Sequence, residues 1–420
     1  MSAPQAAPSR LGVLAERDFR QLFLARTISL LGTSIAPIAL AFAVLDDLGG
    51  SATELGIVLA AASVPQILFL LVGGVWADRL PRHLVMVASD LTMFGTQAAT
   101  ALLLFTDTAA LWHLALLQGA RGLASAFFFP AATGVVPQVV SAARLQQANA
   151  LLGLTVSSAG VAGALLGGVL VATVGPATAL AFDAATFLAS AACLVRIRLP
   201  KDLTLPARHF VRELKEGWQE FTSRTWLWVI VAVAALDNMV AQGAFFVLGP
   251  VVADESLGGA SAWGLIMAGF GAGFVGGGLL MLRFRPERPL FAACVALLLY
   301  AFPFPLLAVA APAPLIAAAA LVAGFGLEIF GTLWNTALQE HVPRERLSRV
   351  SAYDYLGSFV FIPIGLAIAG PVADQIGIAE ALWAAGAIVL VSTVAQLFVS
   401  DIRNLRRLGA EAPEAVSAEA

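Results

Sequence analysis

The stretch Gly73–His83, G-G-V-W-A-D-R-L-P-R-H, lies between two apolar segments that are each long enough to cross a bilayer. Its glycine pair allows a neighbouring helix to approach closely, and Asp78 can accept hydrogen bonds from the N-terminus of a facing helix. Arg79 and Arg82 would hold the turn at the lipid headgroups. A plain basic turn explains the arginines but leaves the acid and the glycines unexplained. The pattern therefore favours a latch between helices at this membrane face.

The composition of the chain is that of a membrane protein. Its 420 residues are 59% hydrophobic and only 12% charged, with a mean hydropathy of +0.87, whereas soluble proteins are about 25% charged. Twelve apolar segments alternate with polar turns, and their predicted ranges are 21–45, 54–77, 84–105, 109–130, 150–172, 177–196, 226–250, 262–283, 290–310, 313–337, 350–373 and 378–399. Apolar runs of this length predict helices rather than barrel strands. The predicted fold class is an all-α membrane protein of twelve transmembrane helices in two pseudo-symmetric six-helix bundles.

The basic residues are confined to one membrane face. Of the 24 lysines and arginines, all except Arg26 and Arg121 lie at the termini or in every second turn, and the intervening turns are neutral or acidic. Because positive charge is retained in the cytoplasm during insertion, both termini are predicted to be cytoplasmic. The predicted location is the plasma (inner) membrane, with multiple crossings.

The long polar stretch between the sixth and seventh spans predicts two halves. The predicted organisation is an N-terminal six-helix bundle at 1–199, a cytoplasmic linker with an amphipathic helix at 200–224, a C-terminal bundle at 225–402 and a disordered cytoplasmic tail at 403–420. In the linker, apolar residues recur at helical spacing opposite charged ones, although a plain connector would also explain it. The fourth and tenth spans both pass from a glycine-rich start through Val-Pro to a basic turn, which indicates a repeat.

The stretch around the second and third spans resembles the signature G-x-x-x-D-R-x-G-R-R of the major facilitator superfamily. Gly74, Asp78, Arg79 and Arg82 match it, and Pro81 stands where the family usually has glycine. Further stretches resemble the branch that includes enterobactin exporters and macrolide efflux proteins. The resemblance implies a cytoplasmic latch, no cofactor and export of an amphipathic small molecule in exchange for protons.

The fifth span contains G-V-A-G-A-L-L-G-G, which resembles the G-P-x-x-G-G motif of exporters in this superfamily. Gly163, Gly167 and Gly168 match it, and Ala164 replaces the proline. The motif implies antiport. A face of small residues used only for helix packing is the alternative.

Charged residues inside spans are costly and are seldom kept without a use. Arg121 lies deep in the fourth span, and Arg26 lies a few residues inside the first, from where its head can reach the surface. Candidate acidic partners are Asp183, Asp237 and Glu328. A buried carboxylate near a cation can gain and lose a proton, so these residues are predicted to form the substrate and proton pathway. Fixed structural pairs are the alternative for each acid.

Two further acids, Asp90 and Asp354, lie near the cytoplasmic ends of the third and eleventh spans and are predicted to join the latch. The expected partners of the protein are a small-molecule substrate, the proton and the lipid bilayer. No metal, nucleic acid or catalytic residue is predicted, and the protein is expected to be a monomer.

Two other functions were weighed against export. A proton-coupled importer of a small nutrient would have the same fold, but a sugar or organic-acid importer would need more polar or basic groups in its cavity. A membrane enzyme or sensor is disfavoured because the sequence shows no nucleophile–base pair, metal cluster or signalling domain.

Overall fold

A computed structural model describes residues 12–141, 144–198 and 218–407, and within these ranges the side chains of residues 71–79, 146, 344, 345, 348 and 349 are not described. All regular secondary structure in the described ranges is helical, with no strand. The predicted all-α fold class is confirmed.

Twelve helical segments of the described ranges cross the molecule. Those of the N-terminal half are α1 (Arg17–Asp47), α2 (Ala52–Arg79), α3 (Arg82–Phe105), α4 (Leu111–Val139), α5 (145–174) and α6 (176–194). Those of the C-terminal half are α7 (Thr225–Leu257), α8 (Ala260–Met281), α9 (Pro289–Ala308), α10 (Ala313–His341), α11 (Arg344–Phe359 continued by Ile362–Ile376) and α12 (Ile378–Leu397). Helix α4 runs nine residues past the predicted end of its span at 130.

Helices α5 and α6 are joined by a reversal at one residue. Gly175 has φ 83° and ψ 164°, a conformation that glycine adopts without steric cost. The reversal follows from the packing, because Gly163 before it and Asp183 after it contact neighbouring residues of α1, Ser34 and Gly32. The predicted turn at 173–176 is therefore almost absent.

Helix α3 is the most polar crossing of the N-terminal half. Ten helical segments of the described ranges are apolar enough to be recognised as spans, and the reversed pair α5–α6 counts as one of them. Helix α3 is not among the ten because Asp90 and Gln97 lower its hydropathy. Its 24 residues still span about 36 Å at 1.5 Å per residue.

The two faces of the molecule differ in charge. We call the face that carries the arginine-rich turns, together with residues 12 and 407, the basic side, and the opposite face the acidic side. All described arginines except Arg26 and Arg121 lie at the basic side. An even number of crossings places both ends of the described chain there.

The two halves meet closely near the acidic side. The Thr53 hydroxyl on α2 donates a hydrogen bond of 2.9 Å to the Asp374 carboxylate on α11. On the other seam, Gly168 of α5 packs directly on the backbone of Gly264 of α8. Nearer the basic side, α2 and α11 enclose a cavity of about 140 Å³ that Gln66 and Tyr355 help to line. The molecule is thus sealed at the acidic side.

This seal makes a testable prediction for Gly264→Ala. A Cβ at Gly264 would lie 2.7 Å from the Cα of Gly168, so the backbones would have to separate, at a cost of about 1–3 kcal/mol. Cysteines that replace Thr53 and Asp374 report the separation of the two halves. Their oxidative cross-linking is expected to fall by at least about half. The matched control is Gly160→Ala, because a Cβ there meets nothing within 4 Å.

The cross-linking background replaces both native cysteines, Cys193 and Cys294, by serine. Equal cross-linking in the Gly264→Ala and Gly160→Ala proteins would show that the α5–α8 contact does not control closure of the acidic side.

The described end of the linker packs on the C-terminal half. The Trp218 ring lies 5.4 Å from the Tyr353 ring of α11, and Glu220 accepts hydrogen bonds from Arg224 at 2.7 Å and from Arg346 at 2.6 Å. The hydrogen bonds from Arg224 and then Arg346 hold the pKa of the Glu220 carboxyl below its usual value. The rest of the predicted amphipathic helix lies outside the described residues.

The chain after α12 is ordered as far as Arg407. The Arg407 guanidinium lies 3.2 Å from the Glu340 carboxylate, and its backbone N–H donates to the carbonyl of Glu287. Residues 403–407 therefore differ from the prediction of a disordered tail that begins at 403. Residues 408–420 lie outside the described ranges.

Candidate functional site

The turn between α2 and α3 is tied to α4. Arg82 donates a hydrogen bond to the backbone carbonyl of Gly134, so this member of the predicted latch holds helices of the N-terminal half together. The packing of Gly74 and the side chains of Asp78 and Arg79 are outside the described set. The latch therefore remains a prediction.

The other two predicted latch residues lie elsewhere. Asp90 is fully buried inside the N-terminal half, where it faces Ser190 of α6 and Arg26 of α1. Asp354 accepts a hydrogen bond of 3.0 Å from the indole N–H of Trp334 on α10 and lines a cavity of the C-terminal half. Both acids lie close to the basic end of their helices in sequence, but the helix faces that carry them point inward.

A buried polar layer crosses the N-terminal half at the level of Arg121. Asp183 of α6 is fully buried and accepts a hydrogen bond of 2.6 Å from the Gln97 side-chain amide of α3. The Gln97 carbonyl in turn accepts from Gln118 of α4 at 3.2 Å. Of the three candidate acids that the sequence left open, Asp183 is the one with a described electrostatic interaction with Arg121.

The layer is not fully hydrogen-bonded. One Asp183 oxygen and the Arg121 Nε are buried without a hydrogen-bond partner among the described residues. The space for the carboxylate comes from Gly32 of α1, where a Cβ would collide with it. A buried carboxylate that stands near a cation and has one oxygen free can gain a proton on that oxygen without breaking the hydrogen bond to the other.

A second polar layer lies nearer the basic side. Arg26 of α1 stands within electrostatic range of Asp90 and 5.6 Å from the centre of the Phe128 ring on α4. Three members of this layer are each seven residues from a member of the first layer on the same helix. The pairs are Asp90 and Gln97 on α3, Arg121 and Phe128 on α4, and Asp183 and Ser190 on α6. Seven residues make two helical turns, or about 10.5 Å, so the two layers are stacked.

The acids of the C-terminal half have hydroxyl and indole partners. Asp237 of α7 accepts hydrogen bonds from Ser392 at 2.5 Å and Thr393 at 3.5 Å, both on α12. Glu328 of α10 accepts one from Thr332 of the same helix at 3.2 Å. No arginine, lysine or histidine of the described set forms an ion pair with either acid.

Asp237, Glu328 and Asp354 share one cavity. Its volume is about 490 Å³, and all of its described lining comes from the C-terminal half. No described residue of the N-terminal half contributes to it.

The glycines of α5 have two packing partners. Gly163 and Gly167 lie against α1, at Ser34 and Ile35, whereas Gly168 faces α8. A side chain at Gly168 would lie 2.9 Å from the carbonyl of Ala260. These glycines therefore pack helices both within the N-terminal half and across the seam.

The described residues include no group of three or more His, Cys, Asp or Glu side chains that could hold a metal ion. The polar groups of the interior are paired or clustered acids, arginines, amides and hydroxyls. Such an arrangement can bind and release protons and a polar or charged ligand within the membrane.

Comparison with known families bears on the whole chain. The sequence profile of the Major Facilitator Superfamily matches residues 22–359. The chain belongs to the major facilitator superfamily. It is therefore a multi-pass membrane transporter and not an enzyme.

Two curated members of the superfamily align over most of their length. The multidrug efflux pump Tap of Mycolicibacterium fortuitum is 26% identical over 397 residues, which cover 89% of this chain and 93% of Tap. The enterobactin exporter EntS of Citrobacter koseri is 27% identical over 398 residues, 93% of each chain. Among solved structures, the D323A mutant of the nucleoside transporter NupG has a TM-score of 0.72 at 12% identity, and the alignment covers 90% of this chain and 98% of NupG.

Several polar residues in the interior of this transporter have no strong signal in the sequence. Gln97 and Gln118 are examples, because uncharged polar residues in a span carry a weaker signal than charges do. The seven-residue offsets that stack Asp90 below Gln97 and Ser190 below Asp183 were visible in the sequence and could have grouped the two layers.

Proposed function

We propose that this transporter exports an amphipathic small molecule from the cytoplasm by proton antiport with alternating access. The basic side is the cytoplasmic face, and the acidic side is the outer face of the plasma membrane. The substrate enters from the cytoplasm while the outer side is sealed. Opening of the seal then releases it outward.

The observation that carries the proposal is the combination of a sealed acidic side with ionisable groups buried in both halves. The seal includes the Thr53–Asp374 hydrogen bond and the contact of Gly168 with Gly264. Export as the direction is supported by the relatives, since Tap is a multidrug efflux pump and EntS is an enterobactin exporter.

Proton coupling is proposed on the buried Asp183–Arg121 layer. A carboxylate that alternates between a dry surrounding and contact with water changes its affinity for protons, and its cationic neighbour can change its contacts in response. The many aromatic and aliphatic side chains in the C-terminal cavity fit an amphipathic substrate better than a sugar or an organic acid.

The test is an accumulation assay in cells with and without the protein. The panel contains amphipathic compounds that are positively charged, uncharged and negatively charged, each measured with and without a protonophore. We expect lower accumulation of at least one class when the protein is present, and loss of that difference with the protonophore. Equal accumulation of every compound, or uptake that rises with expression, would refute export.

A further inference from the structure

The cavity of the C-terminal half joins acidic groups to an aromatic wall. Three carboxylates line it, Asp237, Glu328 and Asp354, and no lysine, arginine or histidine is present in its described lining. Eight aromatic residues also line it: Phe246, Phe270, Phe274, Tyr300, Phe330, Trp334, Tyr355 and Phe359. Its volume of about 490 Å³ falls in the range of sites for drug-sized ligands.

The acids of this cavity differ from those of the N-terminal half. Asp183 lies within electrostatic range of Arg121, and Asp90 within that of Arg26, so each has a positively charged neighbour. No described cation stands beside Asp237, Glu328 or Asp354. Carboxylates in a poorly hydrated cavity are costly to ionise without a counter-charge, which leaves a place for an external cation.

Glu328 is the least satisfied of the three acids. Its one described hydrogen bond comes from Thr332 on its own helix and reaches Oε1, so Oε2 is free to accept another. Both oxygens of Asp237 already accept from Ser392 and Thr393, yet each carboxylate oxygen has a second lone pair. Glu328 and Asp237 therefore both keep acceptor capacity for a cation in the cavity that they line.

The aromatic rings of the cavity can contact the apolar part of such a ligand. Phe270 and Phe274 meet edge to face with centres 5.2 Å apart, and Phe330 and Trp334 are stacked 6.3 Å apart. Ring faces attract a desolvated cation, and they also cover its apolar groups.

We infer that the substrate is an amphipathic organic cation, bound in this cavity by Glu328 and Asp237 against the aromatic wall. The inference rests on the proposed export function and specifies its substrate class. An amphipathic anion would place its charge among three carboxylates with no cation to offset them, so the cavity selects against it.

The test uses a matched pair of probes on the purified full-length protein in detergent. Tetraphenylphosphonium and tetraphenylborate both carry four phenyl groups on one central atom but have opposite charges. Binding of radiolabelled tetraphenylphosphonium is measured by equilibrium dialysis at about pH 8, where ordinary carboxyl groups are ionised. We expect saturable binding of tetraphenylphosphonium. Radiolabelled tetraphenylborate, dialysed in a separate experiment because the two ions precipitate together, is expected to show no saturable binding.

The variants Glu328→Gln and Asp237→Asn are each expected to weaken tetraphenylphosphonium binding about tenfold or more, which corresponds to about 1.4 kcal/mol. Both keep the shape of the side chain, and size-exclusion chromatography confirms that each variant is folded. The control is Glu255→Gln, because Glu255 is an exposed acid outside the cavity and its replacement should leave binding unchanged.

Saturable binding of tetraphenylborate with an affinity like that of tetraphenylphosphonium, or full tetraphenylphosphonium binding in both variants, would overturn the inference. If the cells of the accumulation assay export uncharged or anionic compounds while the protein fails to bind tetraphenylphosphonium, the cation class is wrong and export stands. If no compound of any charge is exported, the proposed function itself fails.

Discussion

Replacing Arg121 by leucine is expected to lower transport by about 100-fold or more while the protein still inserts in the membrane. Arg121 supplies the only described positive charge near the fully buried Asp183. Without it, the carboxylate is too costly to ionise in its dry surroundings, so it keeps its proton and the cycle stops. Insertion should not suffer, because leucine removes a charge that costs about 2.5–3.5 kcal/mol at the centre of a span.

The measurement is substrate efflux from cells that express equal amounts of each protein, with membrane content determined by immunoblot. Arg121→Lys separates charge from shape, since it keeps the charge but loses the planar guanidinium. Arg196→Leu is the matched control, because Arg196 is exposed just after α6 and its one described side-chain hydrogen bond goes to the carbonyl of Ala192. Full efflux in the Arg121→Leu protein would make Arg121 a residue of no importance to transport.

The surroundings of Arg121 show which features of the site can be predicted from the sequence. Charge inside an apolar span identified Arg121 and its three candidate acids, since that signal depends only on composition along the chain. Choosing Asp183 required knowledge of which helix faces meet. Asp237 and Glu328 lie at suitable depths, but they belong to the other half and line its own cavity.

Depth along a span is readable from the sequence, whereas rotation about the helix axis is not. Asp90 and Asp354 were assigned to the latch from their depth alone. The rotation of α3 directs Asp90 into the N-terminal half toward Arg26, and that of α11 directs Asp354 toward Trp334. The alternation of basic and acidic turns gave the number of crossings, but it did not show that Gly175 alone joins α5 to α6.

The aromatic wall of the cavity was also beyond the sequence. Phenylalanine is common throughout a chain with 26 of them, so no single position stands out. Only the packing of α7 to α12 shows that eight aromatic side chains converge on the three acids.

Replacing Asp183 by asparagine is expected to separate transport from the proton gradient. Asparagine has nearly the same shape and can still bond to Gln97, but it cannot carry a proton. In proteoliposomes with an imposed pH difference, uphill accumulation of substrate should disappear, whereas exchange of labelled for unlabelled substrate should continue. One pH unit is worth about 1.4 kcal/mol, so a one-proton antiporter can build a concentration ratio of about tenfold per unit, and the variant should stay near a ratio of one.

The contrast with the cavity acids makes this result decisive. Glu328→Gln and Asp237→Asn are expected to weaken binding of the cation, so they should reduce exchange and accumulation together. Asp183→Asn alone should lose accumulation and keep exchange, and Asp401→Asn, an exposed acid of the basic side, should lose neither. If Asp183→Asn still accumulates substrate as the unmodified protein does, the proton is carried elsewhere. Asp90 and the cavity acids would then be the groups left to carry it. If the cavity acids carry it, substrate and proton would compete for the same carboxylates.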